Sequence, residues 1–354
     1  MSNDNVKQDP LHAAEQRKKL KAVALLSGGL DSSLAVRMML EQGVEVEAVA
    51  IRTPFCDFDC GKGCGHRVTE VASELEIPLK TIYFGEEYLR MLKRPKFGFG
   101  SGMNPCIDCR SMMYNAAKEH MKQIDADFIV TGEVLFQRPM SQNHRALNII
   151  EKETGTQGKV LRPLSAKCLP ITDIENAGSV KRENLCNILG RSRKTQLALA
   201  RRFGMDDPPN AAGGCLLTDP QFSRRIRDLM EYLDDPGEVP TINDVELLKL
   251  GRHFRLSNAA KLIVGRNQNE NYMMKSLALI DDIVIEAEEF PGPTCILRSK
   301  NYEHRLVEKS SQIGLRYSDS PYGRKANVKV TYRGKVSVIS IFPISNEELE
   351  SLRI

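Results

Sequence analysis

The chain predicts an α/β fold in which a parallel sheet flanked by helices is followed by a helical, basic middle region and then a small α+β domain. Three observations carry this expectation. Short apolar runs alternate with amphipathic helical runs from residue 20 to about residue 131. A Gly-Ser-rich turn at 27–33 joins the first apolar run to the first helical one. Beyond about Val160 the alternation gives way to helices dense in arginine and lysine. Strands that alternate with helices imply a parallel sheet covered on both faces, because each parallel crossover carries a helix back across the sheet.

In chain order, Val23–Leu26 reads as a buried strand and Ser32–Gln42 as the helix that follows it. Val46–Ile51, Lys80–Phe84 and Phe128–Thr131 read as further strands, and Arg67–Leu75 and Ser111–Lys122 as helices. Ligands of such sheets bind beyond the carboxyl ends of the strands. The residues after Leu26, Ile51, Tyr83 and Thr131 should therefore surround one crevice. This first domain is placed at 20–160, after a polar leader at 1–19 that lacks the apolar centre of a secretory signal. Residues 161–235 form the basic middle region, with Arg191, Arg193, Lys194, Arg201, Arg202, Arg224 and Arg225. The run Asp234–Pro240 is a linker by its prolines and glycine. In 241–354, the alternating segments Ala259–Val264, Ile283–Glu286, Thr294–Arg298, Val328–Tyr332 and Val336–Phe342 suggest a compact α+β module.

A chain of 354 residues exceeds what one core usually serves. Its composition, 41% hydrophobic and 27% charged, is that of an ordinary soluble globular protein. No apolar run approaches the roughly 18 residues of a membrane-spanning helix, and a cytoplasmic location is expected. The net charge is +4, and residues 251–354 hold 16 Lys and Arg against 12 Asp and Glu. The whole basic excess thus falls in the last domain, which is compatible with a nucleic-acid partner.

The turn Ser27-Gly28-Gly29-Leu30-Asp31-Ser32-Ser33 carries the first chemical signal. Two glycines let the backbone pass close to a bulky anion, and the hydroxyls of Ser27, Ser32 and Ser33 can donate to phosphate oxygens. The helix beginning near Ser32 aims its unpaired N–H groups and positive dipole end at the same place. A carboxylate beside a polyphosphate is repulsive unless a cation lies between them, so Asp31 is read as a Mg²⁺ partner. No lysine follows, which excludes the Gly-x-x-x-x-Gly-Lys phosphate loop.

Cysteine supplies the second signal. Nine cysteines in a cytosolic chain are not a disulfide framework. Cys106 and Cys109 follow the Asn104–Pro105 turn at a spacing that suits one metal or a redox pair, and Arg110 beside them should favour thiolates. Cys215, after Gly213 and Gly214, is the nearest third ligand. Three cysteines can hold a [4Fe-4S] cluster with one iron open, or carry a persulfide. Cys56, Cys60, Cys64 and His66 form a second group, a Cys₃His zinc site or a loop guarding the active-site entrance. Cys168, Cys186 and Cys295 read as buried structural thiols, and Gly98–Gly102 as a flexible loop.

These residues carry a resemblance. The Ser27–Ser33 turn, Asn104-Pro105-Cys106, Thr131-Gly132 and Gly213-Gly214-Cys215 look like the PP-loop (adenine nucleotide alpha hydrolase-like) tRNA thiolation enzymes, particularly the tRNA 2-thiouridylase group, over residues 20–230. Leu250–Arg255 and Ile263–Asn267 resemble the RNA-binding domain named for NFACT proteins. The resemblance implies ATP and Mg²⁺ at Ser27, Gly28, Gly29, Asp31, Ser32, Ser33, Ile51 and Gly132. It implies catalysis by Asp31, Cys106, Cys109 and Cys215, a tRNA substrate, and sulfur from a cysteine desulfurase, a relay protein or sulfide. ATP would adenylate a base carbonyl, with uridine C2 expected, and sulfur would then displace AMP. Two departures stand out: Glu133 follows Gly132 where thiouridylases commonly have histidine, and Cys106 and Cys109 form a pair where many have one cysteine. Sulfuration or amidation of a small molecule, and a non-catalytic RNA-binding role, stay open as alternatives.

Overall fold

The computed structural model describes residues 19–56, 64–205, 215–233, 238–321 and 323–354, with backbone alone at 64–66. In chain order the elements begin β1 (Lys21–Leu25), α1 (Leu30–Glu41), β2 (Glu45–Arg52), α2 (Cys64–Glu74), β3 (Leu79–Tyr83), α3 (Glu86–Lys93) and α4 (Cys106–Gln123). They continue through β4 (Phe128–Thr131), α5 (His144–Thr154), β5 (Val160–Leu161), α6 (Asp173–Asn176), α7 (Lys194–Arg202), α8 (Pro220–Glu231) and α9 (Ile242–Leu248). The chain ends through β6 (Arg252–Ser257), β7 (Ala260–Val264), α10 (Gln268–Leu277), β8 (Ile283–Ala287), β9 (Cys295–Ser299), α11 (His304–Arg316), β10 (Ala326–Tyr332), β11 (Lys335–Ile341) and α12 (Asn346–Ser351). The described residues of Met1–Ile51, Gly63–Ile82 and Arg110–Ala212 form one compact unit, and those of Arg52–Lys62, Tyr83–Cys109 and Gly213–Ile354 a second. Among the described residues no helix is long and apolar enough to cross a membrane.

The first unit is the expected α/β layer structure. Its sheet runs β3-β2-β1-β4-β5, and β1 pairs in parallel with both β2 and β4. Such a strand is covered on both faces, and Ala22, Val23 and Ala24 are accordingly buried. Leu34 and Met39 of α1 and Phe128 and Val130 of β4 complete this core. Strand order reverses between β1 and β4, so the carboxyl ends of these two strands form the topological switch point where such sheets bind ligands. Helices α3 and α5 have no counterpart in the sequence expectation. The α5 signals are a side-chain cap, Asn143 accepting from the Ala146 N–H, and Gly155 at φ 61° closing the end.

In the second unit a six-stranded sheet, β11-β10-β8-β9-β7-β6, joins its neighbours in antiparallel register, and α11 packs against it. Phe254, Leu262, Ile285, Leu297 and Val328 fill the core between them. Arg298 of β9 binds Asp282 at 2.7 Å and Asp244 of α9 at 2.5 Å. The basic helix α8 belongs to this unit as well: Asp228 receives Arg255 at 2.6 Å and Lys261 at 3.0 Å from the β6–β7 hairpin. Arg225 donates to the Leu248 carbonyl at 3.0 Å, half-buried, so it secures α9 and is not a solvent-facing cation as expected.

Burial pushes Lys261 down to about 8, with Asp228 opposing. The unfolded chain therefore holds a proton on this lysine from about pH 8 to the ordinary lysine range, where the native state has lost it, and its contribution to stability rises with pH across that window. Urea unfolding of the wild type and of Lys261→Met should diverge in pH dependence between about pH 8 and 10, with only the wild type gaining this increment.

Candidate active site

The turn after β1 is built by backbone constraints that its glycines alone satisfy. Gly28 lies at φ 72°, and a Cβ there would stand 2.9 Å from Val68 Cγ2 of α2. Gly29 caps α1 in extended conformation at φ −90° and ψ 158°. Ser27 is exposed at the mouth of the turn, and its hydroxyl lies 3.1 Å from that of Ser32. Ser32 and Ser33 donate their hydroxyls to the Gly29 carbonyl at 2.9 and 3.0 Å. Ser33 is fully enclosed, which corrects the expectation that its hydroxyl faces a phosphate: it stiffens the turn from behind.

Gly132, just past β4, closes the site from the other side of the switch point. A Cβ at this position would sit 2.4 Å from Ser32 N and 2.5 Å from Asp31 C, so the strand end lies directly on the first turn of α1. Opposite it, the register that sets Leu25 against Val49 carries Ile51 to the level of the turn. Asp31 accepts from Gln137 Nε2 at 2.9 Å through Oδ2, while its Oδ1 is enclosed with no hydrogen-bond partner. A buried carboxylate oxygen without a partner is costly. At a helix N-terminus beside an anion-sized turn it fits a divalent cation bridging to phosphate, so the residues suit Mg²⁺ and a nucleotide.

Sequence reasoning missed Gln137, which stands 106 residues from Asp31. It also missed Phe136, a bulky residue at φ 63° and 47% exposed beside that glutamine. Such a conformation costs energy and collects at functional sites. The Phe136 N–H donates to the Gln142 carbonyl at 2.6 Å and its ring meets His144 edge-on at 5.6 Å, so the loop is held in place.

Glu133 occupies a buried polar network. Its Oε2 accepts from the Tyr114 hydroxyl at 2.5 Å and Arg162 Nε at 2.9 Å, and Arg110 lies 3.2 Å from Oε1. Arg162 also pairs with Glu151 at 2.7 Å. Burial would raise the Glu133 pKa, but Arg110 and Arg162 outweigh it and hold the carboxyl below its usual range. Burial pushes the Tyr114 phenol well up, so it remains a donor. The Arg110 guanidinium, on the residue after Cys109, balances Glu133.

In the second unit the end of the glycine-rich segment, at Gly102 and Met103, is docked on the segment 217–223. Met103 N donates to the Leu217 carbonyl at 2.9 Å, and Gly102, at φ 64°, leaves no room for a Cβ beside Ser223 Oγ at 2.4 Å. Asp108 accepts from the N–H groups of Lys96 and Phe97 at 2.9 and 3.1 Å. These bonds bring the first turn of α4, with Cys106 and Cys109, to the segment that starts at Cys215. Tyr88 of α3, 1% exposed, stands among them, hydrogen-bonded to Cys109 and within the fields of Cys215 and Cys56. Phe55 packs on Tyr88 at 5.8 Å and edge-on against Phe222 at 5.9 Å, fixing the neighbouring Cys56, whose sulfur accepts the Thr53 N–H at 3.2 Å. Burial pushes the Cys215 thiol up to about 12, with Cys109, Cys106 and Cys56 adding to it.

Cys56 thus keeps company with Cys106, Cys109 and Cys215. Of the expected zinc partners, Cys60 and the side chains of Cys64 and His66 lie outside the described residues, as do Gly213 and Gly214. Among the described residues no three His, Cys, Asp or Glu side chains are close enough together to hold one metal ion. The thiols present the soft donor chemistry of a sulfur or iron–sulfur site without assembled ligand geometry. Cys295 is buried as expected, whereas Cys186 and Cys168 are half-buried.

The family model described as thiamine biosynthesis protein (ThiI) matches residues 18–177, and that of the NFACT protein RNA binding domain matches residues 251–353. A tRNA-specific 2-thiouridylase of Xanthobacter autotrophicus is 24% identical over 66% of this chain and 59% of its own length. One from Clostridium tetani is 23% identical over 95% and 89%. The chain thus spans about three fifths of the length of the first of these relatives. A crystal structure of a 4-thiouridine synthetase–RNA complex with bound ATP matches at 24% identity over 52% of this chain and 51% of that one, with a TM-score of 0.33. The chain resembles PP-loop tRNA thiolation enzymes in its first part and an NFACT RNA-binding domain in its last, as the motifs led one to expect.

Gly132→Ala should destabilise the first unit by about 2 kcal/mol, since backbone on both sides blocks relief. Urea unfolding followed by circular dichroism checks this.

Proposed function

We propose that this chain is an ATP-dependent tRNA sulfurtransferase acting in the cytoplasm. The observation that carries the reading is the unpartnered Asp31 oxygen at the anion-binding turn, in a chain that also brings Cys56, Cys106 and Cys109 to Cys215. The turn and the helix N-terminus hold the triphosphate, Asp31 holds Mg²⁺, and Gln137 fixes the carboxylate. A uridine carbonyl oxygen attacks the α-phosphorus, pyrophosphate leaves, and the base carbon acquires an adenylate leaving group. Sulfur then bonds to that carbon and AMP departs with the former carbonyl oxygen.

The thiols of Cys106, Cys109 and Cys215 present the sulfur, supplied by a cysteine desulfurase, a relay protein or sulfide. As a persulfide, delivered at that oxidation level by the desulfurase or relay protein, the outer sulfur would ride on one of them, bond to the base carbon as AMP leaves, and be released when a second of these thiols attacks the S–S bond and leaves a disulfide. They would also be the residues to hold a [4Fe-4S] cluster, which when bound supplies an open iron for sulfide. Tyr88 donates to Cys109, and the high pKa of Cys215 keeps it a neutral thiol until a metal or partner takes its proton. Arg191, Lys194, Arg201, Arg202 and Arg224, all exposed, grip the RNA backbone. C2 of uridine is the proposed position, following the 2-thiouridylases among the relatives. A second reading, sulfuration of a small molecule, is favoured by the thiamine description of the matching family model.

Exchange of pyrophosphate into ATP should require tRNA and fall on the order of 100-fold or more in Asp31→Asn. Nucleosides from a deletion strain should lack 2-thiouridine. An unchanged set of thionucleosides together with a thiamine requirement would replace the tRNA reading with the small-molecule one.

A further inference from the structure

The second unit carries a cavity away from the thiols. Its volume is about 260 Å³, and Asp281, Lys300, Asn301, Tyr302, Tyr332 and Arg333 are among its lining residues. Tyr302 and Tyr332 lie with ring centroids 5.0 Å apart at 35°, and Tyr302 is 43% exposed. Tyr302 is braced edge-on by His304 at 6.0 Å. The Arg333 guanidinium lies 5.4 Å from the Tyr332 ring and pairs with Asp281 at 2.6 Å.

The backbone at this cavity is unusual. Tyr332 pairs with Lys335 across a two-residue hairpin turn whose central residues, Arg333 and Gly334, both have positive φ, 48° and 75°. Such turns take Asn or Gly at the first central position because a long side chain is strained there. Arginine at this position holds a cation at the rim, beside the aromatic pair. The Asp281 pair and the Tyr332 ring hold the strained arginine at the rim of the cavity.

We propose that this cavity binds one unpaired nucleotide of RNA, stacking its base on Tyr302 and pairing its phosphate with Lys300 and Arg333. The inference rests on the tRNA reading above and adds where on the chain a single-stranded part of that RNA is held. Every base has a π-face, so an exposed tyrosine supported by a second ring is a sequence-tolerant platform. Arginine beside the rings adds cation–π attraction, and Lys300 and Arg333 bring cationic donors to the cavity. The room suits one ring system and excludes a duplex.

The test uses the full-length protein and a single-stranded 12-nucleotide RNA containing 2-aminopurine, whose fluorescence is quenched on stacking. Wild-type protein should quench it, Tyr302→Ala should lose the quenching and bind about ten-fold more weakly, and Tyr302→Phe should behave as wild type. Lys300→Ala should lower the salt dependence of binding by about one counterion. If Tyr302→Ala quenches and binds as wild type while tRNA still binds, the cavity is not the site and the tRNA reading stands. If wild-type protein binds neither the oligonucleotide nor tRNA, the tRNA reading falls and the cavity assignment with it. Equal quenching of 2-aminopurine riboside alone would assign a free nucleoside instead and overturn the proposal.

Discussion

The first unit depends on the contact between Gly132 and the backbone of Asp31 and Ser32. Two strand ends, β1 and β4, meet there at the point where the sheet changes direction, and only a residue without a side chain lets them meet. The consequence is positional. Gly132 lies directly on the first turn of α1, whose Ser32 and Ser33 hydroxyls donate to the Gly29 carbonyl. Asp31 is held by Gln137 through one oxygen while its other is buried without a partner, an arrangement that costs energy.

The same logic explains why two arginines surround Glu133. A carboxylate buried here would be neutral or destabilising without them, and with Arg110 and Arg162 it stays charged. Arg110 is on the helix that starts at Cys106 and pairs with Glu133. Tyr88 is hydrogen-bonded to Cys109, and the Thr53 N–H donates to Cys56 beside the Phe55 ring that packs on Tyr88. Burial of this kind keeps Cys215 protonated and suits a sulfur that must be loaded before it reacts.

The features legible in the sequence were those with local causes. The strand–turn–helix at Val23–Gln42 and the strand at Phe128–Thr131 follow from periodicity and glycine placement, and the structure has them within a residue or two. The α+β nature of the C-terminal module was visible in its alternating segments. Gln137, Tyr88 and Arg162 were not visible, because their roles arise from contacts across long stretches of chain that no local pattern encodes. The neighbourhood of Cys56 with Tyr88 was not visible for a related reason: spacing linked it to Cys60, and the Phe55 ring that packs on Tyr88 belongs to no local pattern. Arg225 counted as a surface charge in the sequence and proved to be a structural donor, since composition does not reveal which face of a helix is covered.

The central claim is that ATP activates a base carbonyl oxygen and that this oxygen leaves on AMP. A tRNA transcript labelled with oxygen-18 at the uracil C2 carbonyl tests it in a single reaction with ATP and a sulfur source. The account predicts AMP heavier by one oxygen-18 in step with thiolated product. Unlabelled AMP, with its new oxygen drawn from water, would contradict it.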